Sequence, residues 1–154
     1  MNQPTALFRL HGVRPTRTMA ALAFSALLAS AGLGVQPAYA ALPPVQHQGN
    51  VEFVSGGIGI DESTSMKQAE KNYPLSMVFT QHMQGENAYT ADVPVTITNA
   101  SGTTVLQTTT RGPYLLVKLP PGEYTVRSVY NGTELTRRAS VGGPGSARLM
   151  FEWK

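Results

Sequence analysis

The chain has 154 residues, with twelve Lys plus Arg against nine Asp plus Glu, a formal net charge of +3 and no cysteine. The missing cysteine excludes disulfides, thiolate catalysis, cysteine metal sites and a lipid anchor on a cleavage-site cysteine. The positive excess is concentrated at one end, so it carries no argument for nucleic-acid binding.

Arg9, Arg14 and Arg17 precede an apolar run of small residues, MAALAFSALLASAGLGV (19–35), which is followed by Pro37 and AYA (38–40). That order reads as a secretory signal peptide over residues 1–40, cleaved after Ala40. A membrane-anchoring helix is the alternative, but it needs about 20 apolar residues and this run ends short of that. Cleavage would leave 114 residues, enough for one domain, with nine basic and nine acidic side chains. The expected location is the periplasm, with secretion as the alternative and no membrane span after cleavage. Asn99 and Asn131 both stand in N-x-S/T. In a bacterial exported chain they mark turns more readily than glycans.

Residues 41–50, ALPPVQHQGN, read as a flexible leader. VEFV (51–54) is a short strand with Val51 and Phe53 on one face. Gly56, Gly57 and Gly59 then form a bend. Met66, Ala69 and Tyr73 fall at helical spacing, with Ser65 and Gln68 as a capping box or Asp61 as a competing N-cap. Pro74 ends the helix. Two or three turns are marginal alone in water, so this helix must dock on something.

From Leu75 the period becomes two. LSMVFTQ (75–81) sets Leu75, Met77 and Phe79 on one face. ADVPVTITN (91–99) does the same with Val93, Val95 and Ile97, and Pro94 marks an edge or a bulge. Asn99 to Gly102 fits a type I turn into TTVLQTTT (103–110). YLLVKL (114–119) is apolar on both faces, as a central strand is. Pro120-Pro121-Gly122-Glu123 fits a type II turn, with Gly122 taking the positive φ.

EYTVRSVY (123–130) and TELTRRASV (133–141) flank Asn131-Gly132, a strong two-residue hairpin signal. That loop fixes a register in which Tyr130 faces Thr133, Val126 faces Arg137 and Tyr124 faces Ala139. Arg137 is the one charge in an otherwise apolar inner row. It must reach solvent at the rim, meet a carboxylate or follow a bulge, since an unpaired buried guanidinium costs several kcal/mol. Glu123 lies diagonal to Arg138, which permits a rim ion pair. After GGPG (142–145), SARLMFEW (146–153) places Ala147, Leu149, Phe151 and Trp153 on one face. The fold class expected is mainly β, an antiparallel Greek-key β-sandwich of seven to eight strands with one short helix, spanning 51–154.

Residues 92–141, with the polar-turn hairpin, LPPGEYTV (119–126) and the Asn-Gly hairpin, resemble the carboxypeptidase regulatory-like domains of the transthyretin-like, or prealbumin-like, group. The resemblance covers about a third of the chain well. It implies a β-sandwich that is non-catalytic and acts through neighbouring proteins, cell-envelope components or carbohydrate. Transthyretin-like hydrolases use paired histidines, an arginine and a Tyr-Arg-Gly-Ser end; this chain ends LMFEWK and has only His47 and His82 after the signal. Adhesin-type Lys–Asn isopeptide bonds need an asparagine that 146–153 lacks.

The strand–glycine–helix order of 51–65 invites a nucleotide loop. A phosphate cradle wants free N–H groups and a nearby cation. Asp61 and Glu62 stand there instead, and position 62 breaks G-x-G-x-x-G. The glycines therefore read as a joint and the acids as partners of the helix dipole. A cation held by Asp61, Glu62 and loop carbonyls is the alternative. His47 and His82 lack a third clustered ligand, so no metal or other cofactor is expected. Glu86 and Asp92 flank NAYTA in a polar loop. Tyr73, Tyr89, Tyr114 and Tyr130 lie near element ends, where exposed rings would suit sugar. Tyr114, Tyr130 and Arg137 join Asp61 and Glu62 as candidate binding residues. Gly56, Gly57, Gly59, Pro121, Gly122, Tyr124, Asn131 and Gly132 are candidate structural ones. The expected function is a non-enzymatic exported module binding a protein or envelope component, with carbohydrate binding second and hydrolysis last.

Overall fold

A computed structural model describes residues 41–154, so the expected signal segment lies outside the described residues. Ten strands, one α-helix and one 3₁₀ turn follow in chain order. They are β1 (Gln46–Gln48), β2 (Val51–Gly56), α1 (Ile60–Ala69), the 3₁₀ turn Glu70–Asn72, β3 (Leu75–Met83), β4 (Glu86–Tyr89) and β5 (Pro94–Asn99), then β6 (Thr104–Thr109), β7 (Tyr114–Lys118), β8 (Gly122–Tyr130), β9 (Thr133–Val141) and β10 (Ala147–Trp153). They form two sheets. The six-stranded sheet runs β1-β2-β7-β3-β10 with β4 also on β3, and the four-stranded sheet runs β6-β5-β8-β9.

One core joins the sheets, as in a β-sandwich. Phe53, Leu75, Met77, Phe79, Leu115, Val117, Phe151 and Trp153 enter it from the larger sheet, and Val95, Ile97, Leu106, Tyr124, Val126 and Ala139 from the smaller. The period-two pattern read from the sequence is thus the pattern of burial. β7 is central, and both of its faces are buried. Leu115 and Val117 face the sandwich core, while Tyr114 and Leu116 face a second core outside the larger sheet. Val54, Met66, Tyr73 and Val78 complete that second core. Helix α1 docks there mainly through Met66, its one fully buried side chain. Burying Met66 contributes about 1.5–3 kcal/mol, which a three-turn helix needs to persist.

The β8–β9 register is the expected one, with Tyr130 opposite Thr133, Val126 opposite Arg137 and Tyr124 opposite Ala139. Asn131 and Gly132 both have positive φ, 49° and 76°, as a type I′ turn requires. The Gly102 N–H donates to the Asn99 carbonyl at 2.9 Å, closing the expected four-residue turn.

Several expectations are corrected. Among the described residues there are ten strands rather than seven or eight, and the larger sheet is mixed, because β10 runs parallel to β3. The extra strands are β1, inside the stretch read as a leader, and β4, inside the stretch read as a loop. Pro94 marks neither an edge nor a bulge. It is the first residue of β5, an interior strand, a position where a missing N–H is tolerated. The bulge falls later, between Ile97 and Thr98. Gly122 does not occupy a type II turn. Its φ of 158° is far from the required +80° or so, and it opens β8 opposite Val141. The helix begins at Ile60 with Gly59 as its N-cap, upstream of Asp61 and Ser65, and neither of these caps it. Ser65 Oγ instead donates back to the Asp61 carbonyl at 3.1 Å. The helical run ends as expected, since Tyr73, before Pro74, is extended at φ −121°, ψ 128°.

Candidate functional site

The glycine bend is tied by its own helix. Glu62 Oε1 accepts the Gly57 N–H at 2.6 Å and the Ile58 N–H at 3.4 Å. The backbone donors that a phosphate would use are therefore occupied by a carboxylate of the same chain. Gly57 has φ 103°, and a β-carbon there would enter the Tyr114 ring. A β-carbon on Gly56 would strike Glu62 and Pro43, and Gly112 abuts the Gly56 carbonyl. Gly59 has φ 83° but open space around it. Asp61 is exposed, and among the described residues no group of three His, Cys, Asp or Glu could hold a metal.

Tyr114 links this joint to a surface. Two of the four tyrosines expected near solvent are buried, Tyr73 and Tyr114. The end of β7 is covered because α1 and the glycine bend close over it. The Tyr114 hydroxyl donates to the Tyr89 hydroxyl at 3.2 Å, with the rings tilted and 5.8 Å apart. Burial pushes the Tyr114 hydroxyl pKa well above its ordinary value. The Tyr89 hydrogen bond and the charge of Glu70 add to this, and Arg148 opposes it. Tyr114 is therefore a neutral hydrogen-bond donor at neutral pH rather than a phenolate base. Tyr73 is also raised, by burial first and then by Glu52, with Lys118 opposing. Lys118 is raised by its hydrogen bond to Glu52, 2.7 Å away.

Beside α1 the outer face of the larger sheet exposes two large apolar side chains, Tyr89 and Met150, around buried residues of β3 and β7. Register and alternation place Tyr114, Val78 and Met150 in one row and Tyr89, Thr80 and Glu152 in the next. Tyr89 and Met150 are each 57% exposed. A polar rim surrounds them. His82 Nδ1 meets Asn87 Oδ1 at 2.9 Å, Asn87 Nδ2 donates to Glu152 at 3.1 Å, and Arg148 lies 3.7 Å from Glu70. An apolar centre with a hydrogen-bonded polar border is the anatomy of a contact surface. The sequence carried half of this signal, since Met150 stands between Arg148 and Glu152 on the non-core phase of its strand. Tyr89 is exposed, as its place near an element end suggested, but its strand went unread because β4 is too short to show a period.

Tyr130, at the end of β8, and Arg137, on β9, each meet a different aromatic ring of β10. The Tyr130 ring packs on Trp153 at 5.5 Å, and the indole N–H donates to the Thr133 carbonyl at 2.9 Å. Arg137 is exposed, donates to its neighbour's carbonyl at 3.1 Å and lays its guanidinium 5.8 Å over the Phe151 ring. It takes the rim solution, with an aromatic face in place of a carboxylate. Tyr124 is a structural tie, its hydroxyl donating to the Pro120 carbonyl at 2.8 Å beside Pro121. Glu123 and Arg138 do not form the expected ion pair; both line a hollow of about 400 Å3 with Asn99 and Thr125. The cross-strand pair that does form is Arg127–Glu134 at 3.2 Å.

His47, on β1, and His82, on β3, are both exposed and three strands apart in the sheet order. Among the described residues no helix is long and apolar enough to cross a membrane. Compared with known proteins, the chain matches no family model and no curated protein.

Proposed function

We propose that this protein is an exported, non-catalytic β-sandwich module that works through contact with another protein or cell-envelope component. We also propose kinship with the carboxypeptidase regulatory-like, prealbumin-like domains and a periplasmic location. The observation that carries the functional reading is the outer face beside α1, where Tyr89 and Met150 are exposed within a polar rim. Both are enriched at protein contacts, tyrosine because its ring offers a large area at low entropic cost and methionine because its unbranched side chain adapts to irregular surfaces. One further observation favours binding over hydrolysis: the two histidines are three strands apart and displaced by about eight residues along the sheet, roughly 26 Å in that direction alone, too far to act as a pair.

The test is site-specific photo-crosslinking in cells producing the full chain. A photoreactive residue at Tyr89 is expected to give a discrete adduct, and one at Thr96, on the outer face of the smaller sheet, is expected to give none. Equal adducts at both positions, or none at either, would defeat the reading. Mass measurement of the exported form, expected to begin at Ala41, tests the processing step.

A further inference from the structure

Among the described residues β10 is an edge strand of the larger sheet, paired with β3 on one side only. Within a strand, the N–H and C=O of one residue point to one side and those of the next to the other. The Ala147 N–H donates to the Pro74 carbonyl and the Phe151 carbonyl accepts from Thr80, so the odd residues of β10 face β3. Arg148, Met150 and Glu152 therefore direct their backbone groups outward, and all three side chains are exposed. Such a row is a template for another strand.

We propose that this edge pairs with the same edge of a second copy of the chain, antiparallel, with the two-fold axis at Met150. The sequence Arg148-Leu149-Met150-Phe151-Glu152 is self-complementary about its centre. Placing Met150 opposite its equivalent puts Arg148 opposite Glu152 of the copy, twice by symmetry. In this register the three outward residues of each strand meet the three of the other as hydrogen-bonded pairs, so no backbone group is out of phase. A shift by one residue would set outward groups against inward ones, and a shift by two would bring charges opposite Met150. Trp153 and Phe151 reach β9 from the odd phase, so those contacts do not use the outward backbone groups of the even residues. The copy is the occupant that the charge pattern selects, since Arg148, which lies 3.7 Å from Glu70, and Glu152, which accepts from Asn87, would each also gain the opposite charge of the copy. Pairing would join the two larger sheets and bring the two Met150 side chains together on their outer faces. The inference concerns the strand edge and does not rest on the contact reading of the outer face.

The test is sedimentation of the protein purified after expression of the full chain, at concentrations up to roughly 0.5 mM. A concentration-dependent dimer is expected. Arg148→Glu and Glu152→Arg should each weaken it about tenfold or more, because like charges then face each other twice per dimer. The double exchange Arg148→Glu with Glu152→Arg should restore it. Met150→Pro removes an N–H that points outward, so it should abolish the dimer while leaving the melting temperature nearly unchanged. The register has its own readout. The chain has no cysteine, so in Met150→Cys any disulfide must link two copies. Hydrogen-bonded antiparallel pairs hold α-carbons about 5.5 Å apart, within disulfide range. Met150→Cys should therefore oxidise to a linked dimer faster than Thr109→Cys on β6. A monomer throughout, single reversals without effect, or equal oxidation at both positions would each overturn the proposal. A Tyr89 adduct in cells with no self-association would overturn this inference alone.

Discussion

Gly57→Ala and Gly59→Ala should separate two costs that glycine avoids. Both residues have positive φ, 103° and 83°, where an L side chain loses about 1–2 kcal/mol. Only Gly57 also faces an obstacle, the fully buried ring of Tyr114. Forcing a methyl group against a packed ring adds about 1–3 kcal/mol. Gly59→Ala should therefore cost about 1–2 kcal/mol and Gly57→Ala about 2–5. For a domain near 100 residues, that lowers the melting temperature by about 4–8 °C and 8–20 °C. Circular dichroism melts would show the order, and urea unfolding would give the free energies. A double-mutant cycle isolates the ring. In a Tyr114→Val background the cost of Gly57→Ala should fall to its backbone part, a coupling of about 1–3 kcal/mol. Equal losses at the two glycines, or strict additivity in the cycle, would refute the joint as described.

Glu62→Ala should cost about 1.5–3 kcal/mol in urea unfolding, because the Gly57 N–H loses a charged acceptor. Glu62→Gln should lose less, since its amide oxygen can still accept. The Tyr114 pKa is raised by folding, so its contribution is fully present below the ordinary tyrosine pKa of about 10 and is lost as pH rises through the folded value. The urea midpoint should therefore fall above about pH 10, and more steeply than in Tyr114→Phe; equal slopes would contradict this. Thr110→Val should cost about 1–3 kcal/mol by leaving the buried Val93 N–H without its hydroxyl partner, and hydrogen exchange at that amide should quicken. Arg137→Ala should change stability by less than about 1 kcal/mol, the range of an exposed cation over a ring.

The parts of the fold legible in the sequence are those set by local chemistry. Asn131-Gly132 dictates its own turn, and the turn dictates which residue of β9 meets which of β8. The doubly apolar run 114–119 announced a strand covered on both faces, although not that a helix covers one of them. The rest depends on distant neighbours. Nothing in 75–81 or 146–153 states that the two run parallel, because alternation is the same in either direction. β1 and β4 are three and four residues long, too short to carry a period. The helix start was misplaced because Glu62 caps the bend through its side chain from within the first turn, where a sequence reader looks for Ser or Asp before it. Tyr114 was read as an exposed strand end for a related reason, since its cover comes from residues 57 and 66 rather than from its own neighbourhood.

The parallel pairing of β3 and β10 also sets the order in which the protein can fold. Ala147 meets Leu75 across 72 positions of chain, whereas β8 and β9 meet across two. Closing a loop of that length costs about 4 kcal/mol of chain entropy before any contact repays it. β10 is thus the natural last arrival, in a topology that folds in milliseconds to seconds rather than microseconds. Until it docks, one side of β3 is bare, and Phe79 lacks the Phe151 ring that stacks on it at 5.4 Å. Each newly made chain passes through that state, so the interval before residues 147–153 settle is when chaperones and proteases can distinguish it from the finished protein.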